Sequence, residues 1–402
     1  MRVVHVITRL IIGGAQENTL LTCRGQAERG HEVWLLAGPT SGPEGSMVEA
    51  ARRAANELSS GALHVEEVPG LIRAVLPWRD LAAARRLVRR LRQLEPDVVH
   101  THSSKAGILG RDAAAKACPK ALVVHTVHGL PFYPDQSSLV RALWVWLERW
   151  AARRSDHLIS VCDAMTEEAA GFKIAPREKF TTVYSGMEVE KFLRPVEPVA
   201  RVRHEFGLPP EALVIIKVAR LFHRKGHADV LRAFASIVER HPTAYLFFVG
   251  DGLLRGHLER LAHRLSVQQR LRWAGLVQPD RVPALIHASN ILVHASYREG
   301  LARVLPQALL CGRPVVSYDV GGAREVVHSG ETGLLAPLGD WRGLARAMET
   351  LVGDRMLCQR LGERGREMCL EKFDQRRMVE EIEKVYAAAL SRRAAGKQPV
   401  GA

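Results

Sequence analysis

The 402-residue chain lacks the features that would place it in several large classes. No apolar run approaches the 18 or so residues that span a bilayer. Met1-Arg2 before V-V-H-V-I is too short and too polar for a signal peptide, so a first β-strand is expected there. The six cysteines, at 23, 118, 162, 311, 358 and 369, form no C-x-x-C pair and no disulfide framework, which suits reduced thiols and a cytoplasmic protein. There is no D-x-D and no metal-ligand spacing, so no metal is expected. Zinc-finger spacing, an RNP-like aromatic motif and a basic zipper are also missing, which excludes the usual nucleic-acid modules. Neither an internal repeat nor a low-complexity tract occurs.

What is present is charge and alternation. Lys and Arg number 57 against 43 Asp and Glu, a net charge of +14 that favours phosphorylated substrates or an anionic membrane face. At this length two domains are expected. Apolar segments of five to seven residues alternate with helix-period stretches. The expected strands are Val3–Ile7, Glu32–Ala37, His64–Val68, Asp97–Thr101, Leu122–His125, His157–Val161 and Phe180–Tyr184, then Leu213–Ala219, Tyr245–Val249, Leu271–Ala274, Ile291–His294, Pro314–Ser317 and Gly333–Ala336. Such alternation predicts an α/β chain of two Rossmann-like, doubly wound parallel sheets. The rhythm breaks at 186–212, where Pro195, Pro198, Pro209 and Pro210 suit a linker. Domains are therefore expected at 1–185 and 213–375, with a final helix and tail at 376–402.

Open parallel sheets bind ligands beyond the carboxyl ends of their strands, so the residues after each strand carry the chemistry. Arg220 and Lys225-Gly226 follow Leu213–Ala219 and lead into a helix, a place where two cations and free N–H groups meet an anion. Glu299 follows Ile291–His294 in the same way, with Leu301, Ala302 and Arg303 opening the next helix and Gln307 near its middle. A carboxylate there suits sugar hydroxyls, and the N–H groups suit a diphosphate. Gly250, Gly252 and Gly256 read G-x-G-x3-G after the second strand of their domain, a turn beside the ligand rather than a dinucleotide fingerprint. In the first half Gly13-Gly14, His102, Lys105 and His128 follow predicted strands.

These motifs resemble glycosyltransferase family 4. They are E-G-x5-P-Q-A-L-L-C-G-R-P-V-V-S at 299–317, V-A-R-L-F-H-R-K-G-H at 218–227, V-G-D-G at 249–252 and G-G-A-Q at 13–16. V-V-H-T-H-S-S-K-A-G at 98–107, H-G at 128–129 and S-G-M-E-V-E-K-F at 185–192 also match. The resemblance implies a GT-B architecture with an interdomain cleft and a retaining, metal-independent transfer without a cofactor. Its co-substrate would be a nucleotide-diphosphate sugar, its acceptor a glycan or lipid-linked hydroxyl in envelope or exopolysaccharide synthesis. It assigns Arg220 and Lys225 to the diphosphate, Glu299 to the donor sugar, Gln307 to the ribose and His128 to the sugar from the acceptor side. Gly13, Gly14, Gly250 and Gly252 line the donor, and His102 and Lys105 stand on the acceptor side. Two positions depart from the family pattern: Gln307 replaces the second Glu, and Ala302 stands where many members have glycine. A sugar-nucleotide epimerase or phosphorylase on the same fold, or a non-catalytic sugar-nucleotide binder, stays open as an alternative.

Two basic stretches bear on location. Segment 79–92 carries six arginines among Leu and Val, and 139–154 sets Trp144, Trp146 and Trp150 beside arginines. Amphipathic basic helices lie on anionic lipid, so peripheral association with the inner membrane face through 79–92 is expected.

Overall fold

The computed structural model describes residues 1–395 apart from 41, 43, 44, 59, 60, 134 and 135. Segments 40–60 and 130–138 fall partly outside the described residues, as does the tail from 396. The chain divides into two compact units, residues 1–187 with 375–402, and residues 188–374.

The first unit is a seven-stranded parallel sheet of β1 (Arg2–Ile7), β2 (Glu32–Ala37), β3 (Leu63–Glu67), β4 (Val98–His102), β5 (Leu122–Val127), β6 (His157–Ser160) and β7 (Phe180–Thr182), in the order β3-β2-β1-β4-β5-β6-β7. Helices cover both faces, which is why β1 and β5 read as nearly unbroken apolar runs. On one face Val4, Val6 and Val99 pack with Ala83, Leu87 and Leu91 of helix Pro77–Leu94 and with Ala113 of helix Ser104–Ala117. On the other face Val3, Val98, Leu122 and Val124 meet Val379, Ile382, Val385 and Tyr386 of the last helix, Gln375–Ala395. That helix thus completes the core of the first unit. Each of the buried valines, leucines and isoleucines among these contributes roughly 1.5–3 kcal/mol.

The second unit is a six-stranded parallel sheet of β8 (Leu213–Val218), β9 (Ala244–Val249), β10 (Leu271–Gly275), β11 (Ile291–His294), β12 (Val315–Tyr318) and β13 (Gly333–Ala336), in the order β10-β9-β8-β11-β12-β13. In both units the strand order reverses beside the first strand, at β1/β4 and at β8/β11. These are the switch points where loops diverge and leave a crevice.

Three expectations change. Segment 186–212 holds helices Glu190–Leu193 and Val199–Glu205, and from 188 onward it belongs to the second unit. Pro198, which suggested a linker, caps the second of these helices, where its fixed φ fits. Helix Arg355–Lys372 was not expected, because its Arg- and Glu-rich sequence shows only a weak apolar stripe. Finally, Ala83, Leu87 and Leu91 of the basic stretch 79–92, with Leu94 just beyond it, are buried in the core, so the apolar face of that helix is not available to lipid. Exposed apolar side chains lie instead at its start, Val75, Trp78 and Leu81, and on helix Ser138–Ala152, Leu139, Val140, Leu143 and Trp146. Both helices pack against helix Ser104–Ala117. Among the described residues no helix is long and apolar enough to cross a membrane.

Candidate functional site

In the second unit the loops after β8 and β11 are stitched backbone to backbone. Tyr297 N–H donates to the Arg224 carbonyl at 2.8 Å. Gly226 adopts φ +65°, and a Cβ there would lie 1.8 Å from the Ala295 carbonyl oxygen, so only glycine permits this approach. The result is an ion pair of Lys225 Nζ with Glu299 Oε1 at 2.5 Å. His294 Nε2, at the end of β11, stands 3.4 Å from the same oxygen. Asp229 accepts from the Tyr297 hydroxyl at 2.5 Å and from the Tyr318 hydroxyl at 3.0 Å, which anchors the start of the Glu299 loop.

Electrostatics then fixes the charge of Glu299. Burial alone would raise its pKa, but the His294 hydrogen bond and the Lys225 charge outweigh burial and hold the carboxyl well below its ordinary range. It is an acceptor at any physiological pH and not a general acid. Among the described residues both contacts fall on Oε1, so Oε2 can take a hydroxyl donor. Lys225 spends one of its three N–H groups on Glu299 and keeps two for an anion.

The Arg220 loop is held by the glycines of 250–252. A Cβ on Gly250 would come within 2.2 Å of the Ala219 carbonyl oxygen, and one on Gly252 within 2.7 Å of the Leu221 carbonyl oxygen. Leu221 N–H donates to the Asp251 carbonyl at 2.9 Å. These glycines are therefore the seat of the Arg220 turn. The Arg220 side chain is exposed, with its guanidinium carbon 5.4 Å above the Phe222 ring.

Leu301, Ala302 and Arg303 lead into helix Val304–Leu310 rather than belonging to it, and all three are at least nine-tenths buried. Gln307 is 9% exposed in that helix. The glycine pair that ends the motif clasps the same loop: Gly322 N–H donates to the Gly300 carbonyl at 2.8 Å, and Gly321 sits at φ +52° against the Glu299 carbonyl.

Sequence reasoning missed two members of this site. His294 reads as the last residue of an apolar strand. Lys217 interrupts L-V-I-I-K-V, which is the one signal that could have found it. It is 1% exposed, and its ammonium has no hydrogen-bond partner among the described residues. Burial, aided by the Lys225 charge, lowers its pKa to about 7 against the opposing pull of Glu299 and Asp229.

In the first unit the candidates separate. Gly13 caps helix Gly14–Glu28 with extended backbone (φ −178°), which any residue adopts, so conformation does not demand the glycines there. A hydroxyl pair, Thr8 Oγ1 to Ser103 Oγ at 2.7 Å, ties the β1 and β4 loops at the switch point. Lys105 does not point at a ligand: its ammonium pairs with Asp80 at 2.5 Å and donates to the Ala74 carbonyl. His102 lies inside β4 rather than after it and is fully buried, so it cannot touch an acceptor directly. Its Nδ1 instead lies 3.1 Å from Nε2 of half-buried His128, which follows β5. The structure also brings ring nitrogens of His5, His100 and His102 within 4.8 Å of one another, a grouping that the sequence spacing did not suggest.

Comparison with known proteins agrees with this layout. The model for Glycosyltransferase Family 4 matches residues 12–191, and that for Glycosyl transferases group 1 matches residues 199–368. EpsD of Bacillus subtilis (strain 168) is 29% identical over 314 residues, covering 77% of this chain and 81% of EpsD. The UDP-Gal:alpha-D-GlcNAc-diphosphoundecaprenol alpha-1,3-galactosyltransferase of Escherichia coli is 28% identical over 292 residues, covering 72% and 75%. The crystal structure of Anabaena HepE in complex with UDP-glucose has the same fold, with a TM-score of 0.81 at 21% identity over 96% of this chain and 100% of that one. The chain belongs to glycosyltransferase family 4, retaining enzymes of the GT-B fold that use nucleotide-sugar donors.

Proposed function

We propose that the second unit holds a nucleotide-diphosphate sugar and that the enzyme transfers the sugar, with retention, to a hydroxyl of a lipid-linked or growing envelope glycan. The observation that carries this reading is the pairing of Lys225 with an ionised Glu299 at the β8/β11 switch point. In the proposed role Glu299 Oε2 accepts from a donor-sugar hydroxyl, while Lys225 and Arg220 meet the diphosphate. Gln307 takes the ribose, and the N–H groups that open helix Val304–Leu310 add partial positive charge. His128 is assigned to the reacting sugar. Among the described residues the side chains that contact the Glu299 carboxylate are those of Lys225 and His294 rather than a second carboxylate, which favours same-face displacement. The leaving diphosphate gains charge as the bond breaks, and preorganised cations stabilise that charge most in the transition state. The E. coli relative named for UDP-Gal and a diphosphoundecaprenol-linked sugar supports a UDP donor and a lipid-linked acceptor.

Peripheral contact with an anionic membrane belongs to the same proposal, now through Trp78, Leu81, Leu143 and Trp146 rather than the body of 79–92. Exposed arginines 73 and 79 accompany the first pair, giving the mixed apolar and cationic character that suits anionic headgroups.

A thermal-shift screen of nucleotide sugars identifies the donor, because a ligand bound only by the folded state raises the midpoint. With that donor, Arg220→Ala and Lys225→Ala each lower turnover by about two to three orders of magnitude, the usual loss for one preorganised contact. Near-normal turnover in either variant refutes its assignment.

A further inference from the structure

The amino ends of β6 and β7 carry a recess that the proposed transfer does not use. Helix Ser138–Ala152 leads into β6, and helix Asp163–Gly171 with its following turn leads into β7. Both helices therefore end at the amino edge of the sheet, whereas His128 and the loops after β1 and β4 lie at its carboxyl edge. Beside the two helix ends lies a cavity of about 540 Å³, a size that suits a small organic ligand. Arg149, Arg153, Lys173, Arg177 and Lys179 line it, no acidic residue does, and buried Ile174 adds an apolar wall.

Helix ends account for part of this charge. The last carbonyls of a helix carry partial negative charge, and cations gather there. Arg149 donates to the Phe172 and Lys173 carbonyls at 2.8 and 3.0 Å, and Lys179 donates to the Ala152 carbonyl at 3.0 Å. Arg177 pairs with Glu167 at 2.9 Å. Arg153 and Lys173 differ: both are exposed, and neither side chain has a partner among the described residues. Elsewhere cations of this surface stand beside carboxylates, as Arg24 does with Glu28, Lys116 with Asp112 and Arg240 with Glu349. Here like charges share one recess, and they repel one another unless an anion joins them.

The backbone gives a second sign at Lys173. Its N–H donates to the Ala170 carbonyl at 2.7 Å, and Ile174 N–H donates to the Ala169 carbonyl at 3.1 Å. These are the paired bonds that close a helix through a left-handed residue, a position glycine usually takes because it has no Cβ. Lys173 occupies it at φ +52°, at a cost in backbone strain. A lysine standing where glycine fits better adds an ammonium to the cavity wall.

We propose that this recess binds an organic phosphate, with Arg153 and Lys173 on its oxygens and the apolar wall against its organic part. Guanidinium and ammonium groups suit phosphate oxygens, and a multiply charged anion answers several cations at once. Two sources share this chemistry, a free phosphorylated metabolite and the headgroup of an anionic phospholipid. Helix Ser138–Ala152 favours the second. Exposed Leu139, Leu143 and Trp146 lie on one side of it, and at about 100° per residue its cap, Arg153, continues that side.

The test is calorimetry of the full chain with glycerol 3-phosphate, run beside flotation on vesicles of phosphatidic acid in phosphatidylcholine. Arg153→Gln with Lys173→Gly removes both unpartnered charges, and glycine suits the left-handed position, so a folding defect is not built into the variant. Arg260→Gln with Arg264→Gln removes two exposed arginines of the second unit and controls for net charge. The first pair should weaken binding about tenfold or more, as for lost charge-assisted bonds, whereas the control pair and Lys225→Ala should not. Loss in calorimetry assigns the recess to a soluble phosphate, and loss in flotation alone assigns it to lipid. Binding that neither assay detects, or that survives Arg153→Gln with Lys173→Gly, overturns the proposal. So does binding that falls as much with Arg260→Gln and Arg264→Gln, or glycerol 3-phosphate binding that disappears in Lys225→Ala and so belongs to the donor site.

Discussion

Lys217→Met should make the protein more stable, and by an amount that depends on pH. Lys217 lies in the middle of the second unit's sheet, on the strand next to the one that leads to Glu299. Burial depresses its pKa from 10.5 to about 7. The unfolded chain holds this proton more tightly than the folded one throughout the window between those values. Stability therefore rises with pH across that window, and the cost of the lysine is greatest below about pH 7. The gap between 10.5 and about 7 corresponds to roughly 5 kcal/mol, nearly all of it felt at pH 6 and about 2 kcal/mol of it at pH 9. Methionine has a similar length and no proton to lose, so the variant escapes the penalty. Its advantage should shrink by about 3 kcal/mol between pH 6 and pH 9. For a domain the size of residues 188–374, about 1 kcal/mol moves the midpoint by roughly 2–4 °C. Thermal unfolding of the full chain should therefore show a gap between variant and wild type about 6–12 °C wider at pH 6 than at pH 9. A gap that does not change with pH, or a variant less stable at pH 6, would mean that Lys217 is neither buried alone nor charged at that cost.

Gln307→Glu restores the acid that the family carries and should tighten the donor about fivefold by calorimetry, since a charged acceptor makes the stronger bond; unchanged affinity would release the position from the ribose. Gly321→Ala would place a Cβ 2.3 Å from the Glu299 carbonyl oxygen at φ +52°, so the Glu299 loop must move and the donor KM should rise about tenfold. Gly330→Ala is the control, because at φ +86° its Cβ meets nothing within 4 Å, so it loses stability without a change in KM. In vesicle flotation the protein should recover with anionic lipid in preference to neutral lipid, and Trp78→Ser with Trp146→Ser should abolish the difference; equal recovery on both lipids removes the membrane from the proposal.

The strands were legible because a parallel strand covered on both faces must be apolar along its whole length, and V-V-H-V-I or I-L-V-H shows that without help from context. Helix Arg355–Lys372 was not, because only Leu361, Gly362, Gly365 and Cys369 of its eighteen residues are buried. So narrow a contact leaves little apolar periodicity to read. The stretch 186–212 misled for a different reason. Proline breaks a helix interior but is favoured where a helix begins, and its count alone does not separate the two.

The candidate site divides in the same way between what a strand end announces and what only three dimensions assemble. Arg220, Lys225 and Glu299 could be found because they follow strands in a fold whose ligands sit at strand ends. Their mutual placement could not, since β8 and β11 are neighbours only through a crossover, and the glycines that set their spacing act through carbonyls far away in sequence. Gly250 faces Ala219, Gly226 faces Ala295 and Gly321 faces Glu299, each so close that any Cβ would collide. The chemistry of the loops thus depends on residues that carry no chemistry of their own. His102 teaches the converse. By sequence it stood at the edge as an acceptor contact, but β4 pairs with β5 through His102 itself, and the extra ladder step draws it inside. A buried imidazole cannot reach a ligand; its Nδ1 lies instead 3.1 Å from Nε2 of His128.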